Sequence, residues 1–380
     1  MKDHSLFRVC AEVDLDIIKS NLESINASLE GSSSVVGVIK ADAYGHGALA
    51  VADAICNGVS AFAVATPDEA LELRDKFGEK PIFILGYSHP DTYPMLINHG
   101  IQPAIYRYTD AELLSNAALA LGKKAKINIK LDTGMGRIGF SCGKDSLDEV
   151  EKISRLSGIT LEGIFTHFSV ADSSEEGDRE FTRVQQEKFN GFICECDKRG
   201  IRFKNISCAN SAGIIGVNYS AHNLVRAGIL LYGYYPSDQV SRHIKVAPAL
   251  SLKSHVIQIK EVAAGTSIGY GRSFVTEKPM RIATVPVGYG DGYPRLLSGK
   301  GRVLICGEYA PIIGRVCMDM FMVDITHIPN ASELSEVVLL GAQGEKSIDA
   351  DELAELTDTI SYEIICNIGK RVPRTYKQNN

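Results

Sequence analysis

Eight times along this chain a short apolar run breaks into polar or helical sequence, and that rhythm limits the possible folds more than any other feature. The runs are VVGVIK (35–40), AFAVAT (61–66), PIFILG (81–86), IQPAIY (101–106), KINIKLD (126–132), GITLEGIFTHF (158–168), FKNISC (203–208) and NLVRAGI (223–229). Between them GALAVADAICNG, PDEALELRDKFG, DAELLSNAALALG and REFTRVQQEKFNGFICECDKRG carry helical spacing, with Pro67 at a first-turn position. Ahead of the first run, DLDIIKSNLESINASLEG (14–31) predicts a helix capped by Asp14 or Asp16 and ended by Gly31. Strands alternating with helices imply a parallel sheet. Eight units in roughly 190 residues fit a closed (β/α)8 barrel near the lower end of its usual size, with an open doubly wound sheet as the second arrangement.

The rhythm stops near residue 240. Beyond it VAPALSLKSHVIQIKEV, MRIATVPVGY, GRVLICG, YAPIIGRV, MFMVDIT and SEVVLLG are strand-like and joined by Gly- and Pro-containing turns, and only IDADELAELTD predicts a helix. The expected organisation is an α/β barrel over 1–240 and a mostly β domain over 241–380. The first ~10 residues are candidates for pairing with the β domain, and the tail YKQNN is expected to fray.

Charge and composition remove several function classes. A net charge of -6 speaks against a broad nucleic-acid surface. No apolar run has the length of a membrane span, and the opening MKDHSLFRVCAEV lacks the apolar core of a secretory signal. The nine cysteines are scattered, and Cys194-x-Cys196 has no second pair at metal-ligand spacing. The expectation is a cytoplasmic protein with reduced thiols and no metal.

A barrel of this kind keeps its reactive groups at the C-terminal ends of its strands. There the sequence places Lys40, Arg137, His167, Ser207 through Ser211 and Arg226. SCANSAG and RAGI follow the last two strands, where the backbone of such barrels commonly holds phosphate. A lysine at a strand end beside a phosphate cup suggests a Schiff base to pyridoxal phosphate. A lysine reaching to solvent from a strand edge is the plainer reading of Lys40. GMGRIG (134–139) matches G-x-G-x-x-G, but FSCGKDS intervenes before the next helical pattern, so a dinucleotide site is not expected.

The segment VIKADAYGHGA closely resembles the cofactor-lysine segment of bacterial alanine racemases, which are PLP enzymes of fold-type III. RVCAEVDLDIIKSNL, KLDTGMGRIGF, GIFTHFSVAD, SCANSAG, RAGILLYG, SIGYGRSF, PVGYGDGYPR, GRVCMDMFMVD, SYEI and RVPRTY are similar to further motifs of that family, in order, over nearly the whole chain. The chain departs near its start, with Cys10 where the family often has tryptophan.

The resemblance implies a PLP barrel, a C-terminal β domain and a homodimer whose sites each use residues of both copies. Lys40 would hold PLP and serve as one base, with Tyr270 from the other copy as the second. His167, linked to Arg226, would orient that tyrosine, and Arg226 would face the cofactor's ring nitrogen. Tyr44, Ser211, Gly228, Ile229 and Tyr362 would contact the phosphate. Arg137 would sit near the cofactor phenolate and the substrate carboxylate, the backbone N–H of Met318 from the other copy would meet that carboxylate, and Tyr289 and Asp319 would line the entry corridor. Lys130 matches a position that some relatives carbamylate, with Asp132 as the alternative partner of an unmodified amine.

The implied activity is racemisation of alanine, supplying D-alanine for peptidoglycan. Tyr362 favours alanine over serine, and a serine or broad-specificity racemase is the alternative. A non-catalytic PLP carrier would lack the second domain. A decarboxylase of this fold would place a cysteine-centred motif where SIGYGRSF stands.

Overall fold

The computed structural model describes residues 8–29, 33–217, 219 and 221–378. The chain divides into two compact units. One comprises Ile18–Ala43 and Ala48–Ala247. The other runs from Pro248 to the C-terminal end and includes Tyr44–Gly47 and the N-terminal stretch through Ile17.

Strand β1 (Val9–Asp14) belongs to the second unit. The eight strands of the first are β2 (Ser34–Val38), β3 (Ala61–Val64), β4 (Ile82–Ile84), β5 (Gln102–Ile105), β6 (Ala125–Lys130), β7 (Ile159–Phe165), β8 (Asn205–Ser207) and β9 (Leu224–Ala227). Each falls within one of the eight apolar runs or overlaps its start by a residue. All neighbours are parallel, in the order β8-β7-β6-β5-β4-β3-β2-β9. The remaining seam is bridged where Arg226 N–H on β9 donates to the Ala209 carbonyl just past β8, at 2.9 Å. The unit is a nearly closed (β/α)8 barrel. Parallel strands buried on both faces explain the apolar runs, and β3, β4 and β5 are buried throughout.

Local signals set the helices. Asp14 Oδ1 accepts from the N–H groups of Asp16 and Ile17 at 3.0 and 3.1 Å, so Asp14 caps the helix Leu15–Ala27. Gly31, its expected end, lies outside the described residues. Thr66 and Glu69 form a capping box around Pro67, opening the helix Pro67–Phe77.

In the second unit, β10 (Leu250–His255), β11 (Gln258–Val262), β14 (Met280–Val285), β15 (Arg302–Ile305), β16 (Glu308–Ile313), β17 (Phe321–Asp324), β18 (Glu336–Gln343) and β20 (Arg374–Lys377) build one sheet with β1. The order is β11-β14-β17-β16-β15-β18-β10-β1-β20, and β19 (Lys346–Ile348) pairs with β18. Strands β12 (Ser267–Ile268) and β13 (Phe274–Val275) form a separate hairpin. The expected fraying of the tail is corrected for Tyr376 and Lys377, which pair in β20 with Val13 and Asp14; Asn379 and Asn380 lie outside the described residues. A helix over Ser361–Cys366 was not anticipated, because six residues give too short a window for a periodic signal.

Candidate active site

The barrel's strand ends carry the expected residues. Lys40 follows β2, Lys130 ends β6, His167 lies two residues past β7, Ser207 ends β8, Arg226 sits within β9, and Gly228 and Ile229 follow it. Arg137 lies on the exposed loop after β6.

Lys40 leads into an unusual turn. Ala41, Asp42, Ala43 and Tyr44 all have φ between 51° and 53°, a left-handed turn without a glycine. Side chains hold it at both ends. Glu69 Oε1 accepts from Ala41 N–H and Asp42 Oδ1 from Ala48 N–H, each at 2.7 Å. The sequence reading missed both anchors, and the acids themselves were the available signal.

Arg226 is buried among acceptors. Nη1 donates to the Ser207 carbonyl at 3.0 Å and to its hydroxyl at 2.6 Å. Nη2 donates to the Thr166 carbonyl at 2.7 Å, the Cys208 carbonyl at 3.2 Å and His167 Nδ1 at 3.4 Å. Burial lowers the guanidinium to about 10, so it remains charged at neutral pH. A guanidinium cannot accept a hydrogen bond, so Nδ1 of His167 must be the acceptor and the ring proton sits on Nε2. Burial, then Arg226, Arg137, Lys130 and Lys40, hold His167 well below the usual imidazole range.

Lys130 is 3% exposed. Its Nζ donates to the Leu131 carbonyl at 2.5 Å and lies 5.5 Å from the Phe165 ring centroid. Burial, then Arg226, brings this amine down to about 7, against an opposing pull from Asp132. Asp132 itself is turned into the glycine loop, where its Oδ1 accepts from Gly134 and Gly136 at 3.0 and 3.1 Å. Burial disfavours its charge, but these amides and Lys130 outweigh that and keep it below the usual carboxylate range. The loop closes through Asp132 N–H to Phe140 O, and the next helix starts only at Lys144. GMGRIG is therefore a loop beside a strand end and does not open a helix.

Ser211 Oγ accepts from Gly228 N–H at 3.0 Å, joining the two glycine-containing segments that the sequence singled out.

The second unit holds the other candidates. Tyr44 is buried beside Tyr362, with ring centroids 6.1 Å apart. Burial, then Tyr362 and Cys366, push the Tyr44 phenol up, so it stays protonated. Gly45 allows this packing, because a Cβ there would lie 2.3 Å from the Ile365 carbonyl. Tyr270 is 71% exposed on the turn between β12 and β13. Tyr289, Met318 and Asp319 share another surface. Tyr289 and Gly290 N–H groups donate to the Cys317 and Met318 carbonyls at 3.0 and 2.9 Å. Asp319 pairs with Arg371 at 2.7 Å. Beneath them the buried carboxylate of Asp291 pairs with Arg8 and lies 3.6 Å from Arg371. Arg8, Asp291 and Arg371 were missed as site-builders, although a lone acid between glycines in GYGDGYP was a legible signal.

Two family models match the chain: alanine racemase, N-terminal domain, over residues 13–236, and alanine racemase, C-terminal domain, over 249–376. An alanine racemase of Clostridium perfringens (strain SM101) is 46% identical over 374 residues, covering 98% of this chain and 96% of that one. The structure resembles an alanine racemase of Clostridium difficile 630, with a TM-score of 0.93, 39% identity and coverage of 98% and 97%. It also resembles one from Bacillus anthracis with bound L-Ala-P, at 0.91, 34%, 98% and 95%.

Proposed function

The chain belongs to the alanine racemase family of isomerases, and from that premise we propose that it interconverts L-alanine and D-alanine by a two-base mechanism with pyridoxal 5'-phosphate. The charge balance at the barrel mouth carries the cofactor assignment. Lys40, Arg137 and Arg226 all act on His167 as positive charges, while the nearby Asp132 is engaged by the Gly134 and Gly136 amides. A phosphate ester bearing a phenolate suits such a donor set. When bound, the cofactor supplies the electron withdrawal that acidifies the Cα–H of alanine.

The remaining work belongs to side chains. Lys40 anchors the cofactor and moves a proton at Cα on one face. Tyr270 of a second copy moves a proton at Cα on the other, since inversion requires a base on each side. His167, neutral with its proton on Nε2, orients that phenol. The terminal N–H groups of Arg226 are directed to Ser207, Thr166, Cys208 and His167, which leaves Nε–H to face the ring nitrogen.

Ser211, Gly228, Ile229, Tyr44 and Tyr362 bind the phosphate. Arg137 sits by the cofactor phenolate and, with the Met318 N–H of the second copy, takes the alanine carboxylate. Tyr289 and Asp319 line the approach. A carbamate on Lys130 would restore a negative charge beside Arg137. The working form is a homodimer in the cytoplasm, and its product serves peptidoglycan. Among the described residues no helix is long and apolar enough to cross a membrane.

The test is conversion of L-alanine to D-alanine with α-proton exchange in deuterated water. Bound pyridoxal phosphate without exchange overturns the reading.

A further inference from the structure

One polar cluster lies outside the residues assigned so far. His222 is 4% exposed. Its Nε2 lies 2.8 Å from Asn190 Oδ1 and its Nδ1 lies 3.0 Å from Cys208 Sγ. The Phe189 ring meets the imidazole edge-on at 5.3 Å. Cysteine, histidine and asparagine in a row resemble a thiol nucleophile with its base, but the charges are wrong for one. Burial pushes the Cys208 thiol up to about 12 and brings His222 down to about 4, so both are neutral and no thiolate forms. The neutral pair has a definite direction. His222 Nε2–H donates to Asn190, which requires Nδ1 to accept from the Cys208 thiol.

The use of this pair follows from the other end of Cys208. Its carbonyl accepts from Arg226 Nη2 at 3.2 Å, and the same nitrogen serves the Thr166 carbonyl at 2.7 Å and His167 Nδ1 at 3.4 Å. Two hydrogens are divided among three acceptors. The place of the Cys208 carbonyl therefore governs how much of that donor reaches His167. Cys208 lies just past the end of β8, with its carbonyl toward Arg226 and its side chain tied to His222. His222 is tied in turn to the helix Glu176–Lys198 through Asn190 and by its own carbonyl to Ser33 at 2.8 Å.

We propose that His222 is a positioning residue for Arg226, holding Cys208 so that the guanidinium divides its donors between the strand-end carbonyls and His167. The proposal rests on the racemase reading for its kinetic consequences, but its geometry stands on the hydrogen bonds alone.

The test uses the holoenzyme and compares His222→Leu, His222→Gln, Cys208→Ala and Cys208→Ser. Leu and Ala remove the link, whereas Gln and Ser retain an acceptor and a donor. Expected for Leu and Ala is a kcat lowered about tenfold with an unchanged KM for alanine, in line with loss of an outer-shell partner. More pyruvate should be released per racemisation event, by transamination in which alanine's amino group passes to pyridoxal phosphate to give pyridoxamine phosphate, and the His167 Nδ1 resonance in long-range 1H–15N spectra should move. Gln and Ser should restore all three. Cys208→Ala keeps the test available if His222→Leu does not fold. Wild-type kinetics and an unmoved His167 resonance in Cys208→Ala overturn the proposal. Equal losses in the Gln and Leu variants also overturn it, because they would show a packing role only. Failure of the wild type to racemise alanine would overturn the racemase reading instead, and the resonance would still decide this one.

Discussion

Arg226 donates from Nη2 to Nδ1 of His167 at 3.4 Å, and the direction of that bond decides the state of the imidazole. A donor held against Nδ1 leaves no room for a proton there. With burial and four cations acting in the same sense, His167 should stay neutral well below pH 6.5. Long-range 1H–15N spectra should show an unprotonated Nδ1 at pH 6, and an imidazolium pattern there would refute it. The sign for stability follows. The unfolded chain takes up this proton near pH 6.5 and the folded chain does not, so stability falls as pH drops below about 6.5. His167→Gln should flatten that acid slope in denaturant titrations.

The left-handed turn after Lys40 makes a second prediction. Each non-glycine residue in that region costs roughly 1–2 kcal/mol, and Ala41 is exposed, with a side chain that buries little. Ala41→Gly should relieve the strain, less the extra freedom gained by the unfolded chain, for a net gain of roughly 0.5–1 kcal/mol. If the strain serves to aim Lys40, kcat should fall in the same variant. Denaturant midpoints and turnover, measured together, check both; a loss of stability would contradict the strain argument.

That turn also marks the limit of what the sequence discloses. The barrel was legible because strands buried on both faces must be apolar, and VVGVIK or PIFILG leave little choice. Lys40, His167 and Arg226 could be placed at strand ends by counting along those runs. The turn ADAY carries no glycine, so its left-handed backbone has no signature. It is held by Glu69 from a separate segment and by Asp42, within the turn, accepting from Ala48 N–H. Nor could any local pattern foretell that Arg8, at the start of the chain, and Arg371, near its end, would come to the same carboxylate at Asp291. The thiol–imidazole link of Cys208 and His222 is hidden for the same reason, since its partners come from separate segments.

Lys130 should respond to carbon dioxide. Its amine is brought down to about 7 in the fold, so above that pH a large fraction is neutral and able to react. The accompanying stability term has a clear sign. Between about pH 10.5 and pH 7 the unfolded chain holds this proton and the folded chain does not, so the unmodified amine costs stability progressively as pH falls through that window. A carbamate would remove that cost and offer Arg137 an anion. Exhaustive removal of bicarbonate at pH 8 should lower kcat, re-addition should restore it, and 13C-bicarbonate should give a carbamate resonance absent from Lys130→Ala. No resonance and no bicarbonate dependence would leave the amine unmodified.

Whether Tyr270 serves its own barrel or a partner's can be decided by counting sites. Lys40→Ala and Tyr270→Phe should each lower racemisation by about 10²–10⁴-fold, the usual worth of a positioned acid–base group. In a shared-site dimer, pairing the two variants concentrates both defects in one site and leaves the other with an intact Lys40 and an intact Tyr270. Random mixing makes half of the dimers mixed, each with one good site of two, so a co-refolded mixture should regain about a quarter of the wild-type rate. If Tyr270 acted within its own chain, every site in the mixture would lack one base and nothing would be regained. The exposure of Tyr270, 71% on a glycine-flanked turn, is what a side chain delivered to a second copy requires, and the recovered fraction measures that delivery directly.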